Sequence, residues 1–151
     1  MKYFLLIILG MSFVTGQIPL PEHPRPDFKR PQWINLNGTW EFKFDSNNIG
    51  ILNNWFNYKT KFEKQINVPF PWGSKLSQLN DEADIGWYKK KIIVPENWKS
   101  KKTYLTIGAS DWETNIWLDG QFIGSHQGGY VPFSFDLTPF LNYGKTQNLV
   151  I

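Results

Sequence analysis

Residues Thr114 to His126 read "TNIWLDGQFIGSH". Two apolar runs are joined by Asp119-Gly120. Both central positions of a type I′ turn require positive φ, and Asp-Gly supplies that at little cost. The spacing predicts a tight β-hairpin, Thr114–Leu118 paired with Gln121–Ser125. The stretch that follows, "HQGGYVPFSFDLT", places paired glycines before a tyrosine, a proline and an alternating aromatic run. Paired glycines let a backbone turn sharply or let another group approach closely.

Upstream of the hairpin the pattern stays strand and turn. "NGTWEFKF" gives a turn at Asn37-Gly38, and then Trp40, Phe42 and Phe44 alternate with Glu41 and Lys43, as on a half-buried strand. "QINVPF" is a short strand stopped by Pro69 and Pro71. "GWYKKKIIVP" is a strand ending at Pro95, with Tyr88, Lys90, Ile92 and Val94 on one face. "KTYLTIGA" puts Leu105 and Ile107 together, and "PFSFDLT" does the same for Phe133 and Phe135. "LTPFLNYGKTQ" is a loop or one helical turn, and "NLVI" opens a further strand. Asp45 to Gln65 is asparagine-rich and reads as a loop pinned by Trp55 and Phe56. Seven or more short strands without a helical period predict an all-β sandwich or barrel.

Composition narrows the function classes. The 151 residues contain no cysteine, which excludes disulfides and thiolate metal sites. Aromatics make up 17% of the chain, enough to build a core without disulfides. Phe4 to Val14 is an apolar run too short to span a bilayer, followed by Thr15-Gly16-Gln17. It reads as a secretory signal cleaved after Gly16, with secreted or periplasmic localisation as the expectation. Losing Lys2 with that segment takes the formal charge from +3 to +2, which is no nucleic-acid footprint. No membrane partner is expected of the mature chain. Residues 17–35 form a proline-rich extended lead-in. Lys89-Lys90-Lys91 and Lys99 to Lys102 read as solvated surface.

No catalytic constellation emerges. Asp81-Glu82-Ala83-Asp84 spells a helicase box, but no phosphate loop exists, so it reads as a solvated acidic loop with a calcium site as the alternative. The two histidines, His23 and His126, are too far apart in sequence to be a ligand pair at metal-site spacing. Asp111 and Glu113 flank Trp112 without forming a cleft. The eight tryptophans suggest stacking on sugar rings. Trp40, Trp87 and Trp117 are expected in the core, whereas Trp72, Trp98 and Trp112 lie at turns. Asn37-Gly38-Thr39 is formally a glycosylation sequon, though its place before a strand suggests a structural role.

Taken in order, "LNGTWEFKFD", "VPFPW", "GWYKKKIIVPENW" and "IWLDGQFIGSHQGGYVPFSFDLTPFL" closely resemble the N-terminal domain of glycoside hydrolase family 2. The shared spacings are N-G-x-W, V-P-x-x-W, W-x-x-G-x-x-x-G, and G-G-Y-x-P-F-x-x-D followed by an aliphatic residue and threonine. "HQGGY" with "PF" beyond it is most similar to the β-glucuronidase branch, although related galactosidases carry it too. The resemblance implies a jelly-roll β-sandwich of the galactose-binding-domain-like type over residues 36–151, truncated at its C-terminal end. It implies carbohydrate as partner, no cofactor, and an immunoglobulin-like domain and TIM barrel elsewhere in a parent enzyme. In that family two barrel glutamates carry retaining glycoside hydrolysis, so none of the catalytic residues is expected in this chain. The sugar-proximal candidates are Trp112 and the loop His126, Gln127, Gly128, Gly129 and Tyr130. Gly128 stands where some galactosidases of the family carry an aspartate that reaches the sugar, which disfavours that contact here. Gly128-Gly129 let the loop pass close to a neighbouring domain or serve a bulge inside the sandwich. The alternatives to a glycosidase fragment are a stand-alone carbohydrate-binding module and a structural sandwich mediating protein contacts.

Overall fold

The computed structural model describes residues 18–23, 25, 27, 30–57 and 59–151. The expected signal segment, 1–16, lies outside them. Eight strands follow in chain order: β1 (Gly38–Phe44), β2 (Lys64–Val68), β3 (Gly86–Ile93), β4 (Tyr104–Ile107), β5 (Glu113–Leu118), β6 (Gln121–Gln127), β7 (Phe133–Asp136) and β8 (Thr146–Val150). They pair antiparallel into a six-stranded sheet, β2-β1-β3-β8-β5-β6, and a two-stranded sheet, β4-β7. The expected all-β sandwich is what the chain forms.

The hairpin forms as the sequence dictates. Leu118 pairs with Gln121 across Asp119 (φ 48°) and Gly120 (φ 84°). Asp119 does more than turn the chain. Its carboxylate accepts from the backbone N–H of Asn148 at 2.7 Å and from the Gln147 amide at 3.0 Å, tying the turn to β8. A register shift follows Ile116, so Ile123 bulges out of β6.

Alternation then sorts side chains between two faces. Trp40, Phe42, Ile66, Ile92, Ile116, Leu118 and Leu149 point between the sheets and bury against Leu105 and Leu137. Phe135 closes down on Gly124, where an added Cβ would meet its ring at 2.6 Å. Trp72 joins this core, 5.8 Å from Phe42 and 6.2 Å from Tyr88 ring to ring, although its turn position in the sequence suggested exposure. Burial holds the Tyr88 phenol well above its ordinary pKa.

Part of the opposite face of the large sheet is also covered. Trp87 and Trp117 stack 5.3 Å apart on it. The loop after β1 folds across them, with Trp55 on Trp87 and Phe56 on Trp117. Asp45 anchors this loop by accepting from the N–H groups of Ile49 (2.8 Å) and Gly50 (2.7 Å) and from the Trp87 indole (3.2 Å). The loop pinned by Trp55 and Phe56 is therefore a third layer.

That layer corrects the reading of the lysine run. Lys91 is exposed, but Lys89 is 5% exposed beneath the loop. Its ammonium reaches Glu41 at 2.8 Å and the Thr60 carbonyl at 2.6 Å, and lies 4.6 Å from the Phe62 ring centre. Lys90 points to the sandwich side, donating to the Thr39 carbonyl at 2.9 Å, and burial lowers its pKa.

Candidate functional site

Two loops meet beyond the open end of the β5–β6 hairpin. One runs from Gly108 to Trp112 and enters β5. The other runs from Gly128 to Pro132 and leaves β6. Glu113 and Gln127 form the last strand pair. Past it, the Gly128 N–H donates to the Trp112 carbonyl at 2.7 Å. Gly128 has φ +126°, a conformation strained for any residue with a Cβ. Gly129 sits directly on Asp111, where an added Cβ would lie 2.8 Å from Oδ1. What the paired glycines admit is thus the Asp111–Trp112 turn of this same domain.

This arrangement brings Trp112, Gly128 and Gly129 together. Trp112 is 60% exposed and Tyr130 is 97% exposed, with Val131 beside it at 55%. Gln127 turns to Glu113, whose two carboxylate oxygens face the amides of Asn115 (3.2 Å) and Gln127 (3.4 Å). The Thr114 hydroxyl donates to Ser110 at 2.8 Å and steadies the first loop.

His126 behaves differently from its neighbours. Its ring lies flat on Phe133, 3.9 Å between centroids, on the side of β6 that faces β7. Its Nε2 is buried without a hydrogen-bond partner. Of the six sequence-derived candidates, it is the one turned toward the sandwich interior. The alternation of β6 carries that signal, since His126 shares its face with Gly124.

Asp111 and Glu113 gain their place from tertiary contacts that spacing alone does not show. Two open grooves lie elsewhere. One, about 340 Å³, runs along Ile18, Asn35, Asn37, Thr39 and Lys90. Here the Asn37 amide donates to the Pro19 carbonyl at 3.1 Å, in keeping with a structural role for the sequon asparagine. The other, about 440 Å³, lies between Glu96, Lys99, Asn142, Tyr143 and Lys145. Among the described residues no three His, Cys, Asp or Glu side chains converge. No described helix is long and apolar enough to cross a membrane.

What the geometry offers is a surface of aromatic faces and oxygen acceptors on a rigid β-hairpin. Aromatic faces suit the C–H faces of a sugar ring, and carboxylates accept from hydroxyls. The class these observations define is an antiparallel β-sandwich with two loops meeting beyond one hairpin. Residues 34–151 match the profile described as "Glycosyl hydrolases family 2, sugar binding domain", and the chain belongs to that family. A β-galactosidase of Thermoanaerobacter pseudethanolicus is 31% identical over 116 residues, covering 77% of this chain and 14% of that protein. A β-glucuronidase of Paenibacillus borealis is 29% identical over 123 residues, covering 78% and 20%. The solved β-glucuronidase of Ruminococcus gnavus, in complex with a C6-substituted uronic isofagomine, superposes with a TM-score of 0.68 at 26% identity, over 76% of this chain and 20% of that one. The chain thus spans a fifth or less of these relatives.

Proposed function

We propose that this chain is the non-catalytic N-terminal domain of an exported glycosidase that cleaves β-glycosidic bonds, and that its hairpin loops face carbohydrate. The observation that carries this reading is the family match. It runs through nearly all the described residues, yet the chain equals only 14% of one relative and 20% of another. The bond-breaking groups, and the immunoglobulin-like and barrel domains that would hold them, then belong to a longer polypeptide. Export rests on the apolar run Phe4 to Val14. Trp112 and Tyr130 are the residues to stack on sugar, and Gly128 and Gly129 set the loop that presents them.

The test uses the purified chain. Nitrophenyl β-galactoside and β-glucuronide should show no turnover above background. Simple methyl β-glycosides should shift the amide resonances of Gly128, Gly129 and Tyr130 in a two-dimensional NMR titration, and Trp112→Ala should remove those shifts. Hydrolysis by the chain overturns the non-catalytic assignment. An unresponsive loop overturns the sugar contact and leaves a sandwich that serves domain packing.

A further inference from the structure

Lys90 shares a face of β3 with Tyr88 and Ile92, the side turned into the sandwich. Its ammonium donates to the Thr39 carbonyl at 2.9 Å and lies 5.5 Å from the Trp40 ring centre. An ammonium has three donors, and among the described residues no second acceptor meets it. Every Asp and Glu of the chain is among the described residues, and none forms an ion pair with Lys90. Lys89, one position earlier, is paired with Glu41 at 2.8 Å. Burial lowers the pKa of Lys90, as it does for a half-buried cation without a counter-ion.

Lys90 lines the groove of about 340 Å³ together with Ile18, Asn35, Asn37, Thr39 and Asn67. That volume falls at the lower end of small-molecule sites, about 300–1,000 Å³. The asparagines are held in place. The amide groups of Asn35, Asn37 and Asn67 donate to the carbonyls of Leu20 at 2.9 Å, Pro19 at 3.1 Å and Leu76 at 3.1 Å. Asn35 Oδ1 accepts from the Asn37 N–H at 2.8 Å. The Oδ1 atoms of Asn37 and Asn67 accept no hydrogen bond among the described residues. One groove therefore holds a cation without a counter-ion and two acceptors without donors.

We propose that this groove binds a small organic anion carrying a carboxylate beside hydroxyl groups, the carboxylate on Lys90 and the hydroxyls on Asn37 and Asn67. A carboxylate on an ammonium makes charge-assisted bonds, the stronger kind. A hydroxyl donates readily to an amide oxygen. A uronate ring and an acyclic hydroxy acid both have this chemistry. The groove shares no residue with the hairpin loops, so the site stands whether or not those loops meet carbohydrate.

Three probes test it: methyl β-glucuronide, methyl β-glucoside and glycolate. The first two differ only in a carboxylate against a C6 hydroxymethyl. Each is titrated into the purified chain, following the side-chain amide resonances of Asn37 and Asn67. The glucuronide should bind about tenfold more tightly than the glucoside, the order of one charge-assisted hydrogen bond. The preference should narrow between roughly 0.02 M and 0.5 M salt, as screening grows. Glycolate binding as tightly as the glucuronide assigns the groove to hydroxy acids; weaker glycolate binding assigns it to a uronate ring. Lys90→Gln should abolish the preference, with Lys90→Met in its place if the glutamine variant loses native spectral dispersion. Equal response to glucuronide and glucoside, a preference that survives loss of the ammonium, or silence toward all three probes overturns the proposal.

Discussion

Replacing Lys89 by alanine tests whether a buried lysine holds the third layer in place. The side chain is 5% exposed and reaches Glu41 at 2.8 Å and the Thr60 carbonyl at 2.6 Å. Truncation removes three buried methylenes, a loss of about 2 kcal/mol at ~0.8 kcal/mol each. The two charge-assisted bonds contribute roughly 1.5–3 kcal/mol apiece. Most of that is offset, because keeping an ammonium out of water costs several kcal/mol. A net polar contribution of about 1 kcal/mol remains, so Lys89→Ala should cost ~3 kcal/mol in all. Lys89→Met keeps an apolar stem and leaves behind Glu41, whose side chain is 40% exposed and can be rehydrated. It should cost about 1 kcal/mol. Urea unfolding reads both values as shifts in midpoint at constant slope. Tryptic cleavage at Lys59 and Lys61, in the covering loop, should accelerate in the alanine variant. An alanine variant within 1 kcal/mol of the parent, or a methionine variant as damaged as alanine, would refute the division between stem and charge.

Three further outcomes follow from single contacts. Asp119→Ala removes both the turn preference and the anchor on β8, and should cost about 2–3 kcal/mol in urea unfolding, with Asp119→Asn near half of that. Gly129→Ala drives a methyl to 2.8 Å from Asp111 Oδ1. It should cost about 1–2 kcal/mol in the same assay, and the combination with Asp111→Ala should recover much of the loss, a coupling expected of residues in contact. Asp45 is pushed up by burial, but donation from Ile49, Gly50, Trp87 and Asn48 outweighs this and holds its carboxyl below the ordinary value of 3.8. A depressed folded value means the stabilisation is complete above the unfolded value and is lost as pH falls through the folded one. The stability gap between the parent and Asp45→Asn should therefore be constant from pH 7 to 5 and shrink below pH 4; a gap that widens on acidification would contradict it.

The acidic loop shows how far local reading reaches. Asp81, Glu82 and Asp84 are exposed and Asp81 pairs with Lys64, as a solvated loop should. The same logic failed at Lys89, because nothing within ten residues of a lysine run reports that a remote loop will fold over it. Trp72 failed for a similar reason. Its turn position is local, whereas the space it fills between Phe42, Phe44 and Tyr88 is made by two separate strands, β1 and β3. In the candidate site, the exposure of Trp112 and the tight backbone at Gly128 were legible from turn chemistry. The inward side of His126 follows from the alternation of β6, whereas its stacking on Phe133 and the placing of Asp111 beneath Gly129 were not legible.

The sequence by itself determined which segments are strands, where the hairpin turns, and that the chain is an all-β member of its family. Those are short-range matters of period, turn chemistry and ordered motifs. Only the tertiary structure decided that a loop covers the second face of the large sheet around Trp87 and Trp117, that Asp119 ties its turn to β8, and that the paired glycines close on the Asp111–Trp112 turn. Each of these joins residues far apart in the chain. Such contacts depend on how much space and polar demand the packed layers leave over, a quantity no local stretch of sequence contains.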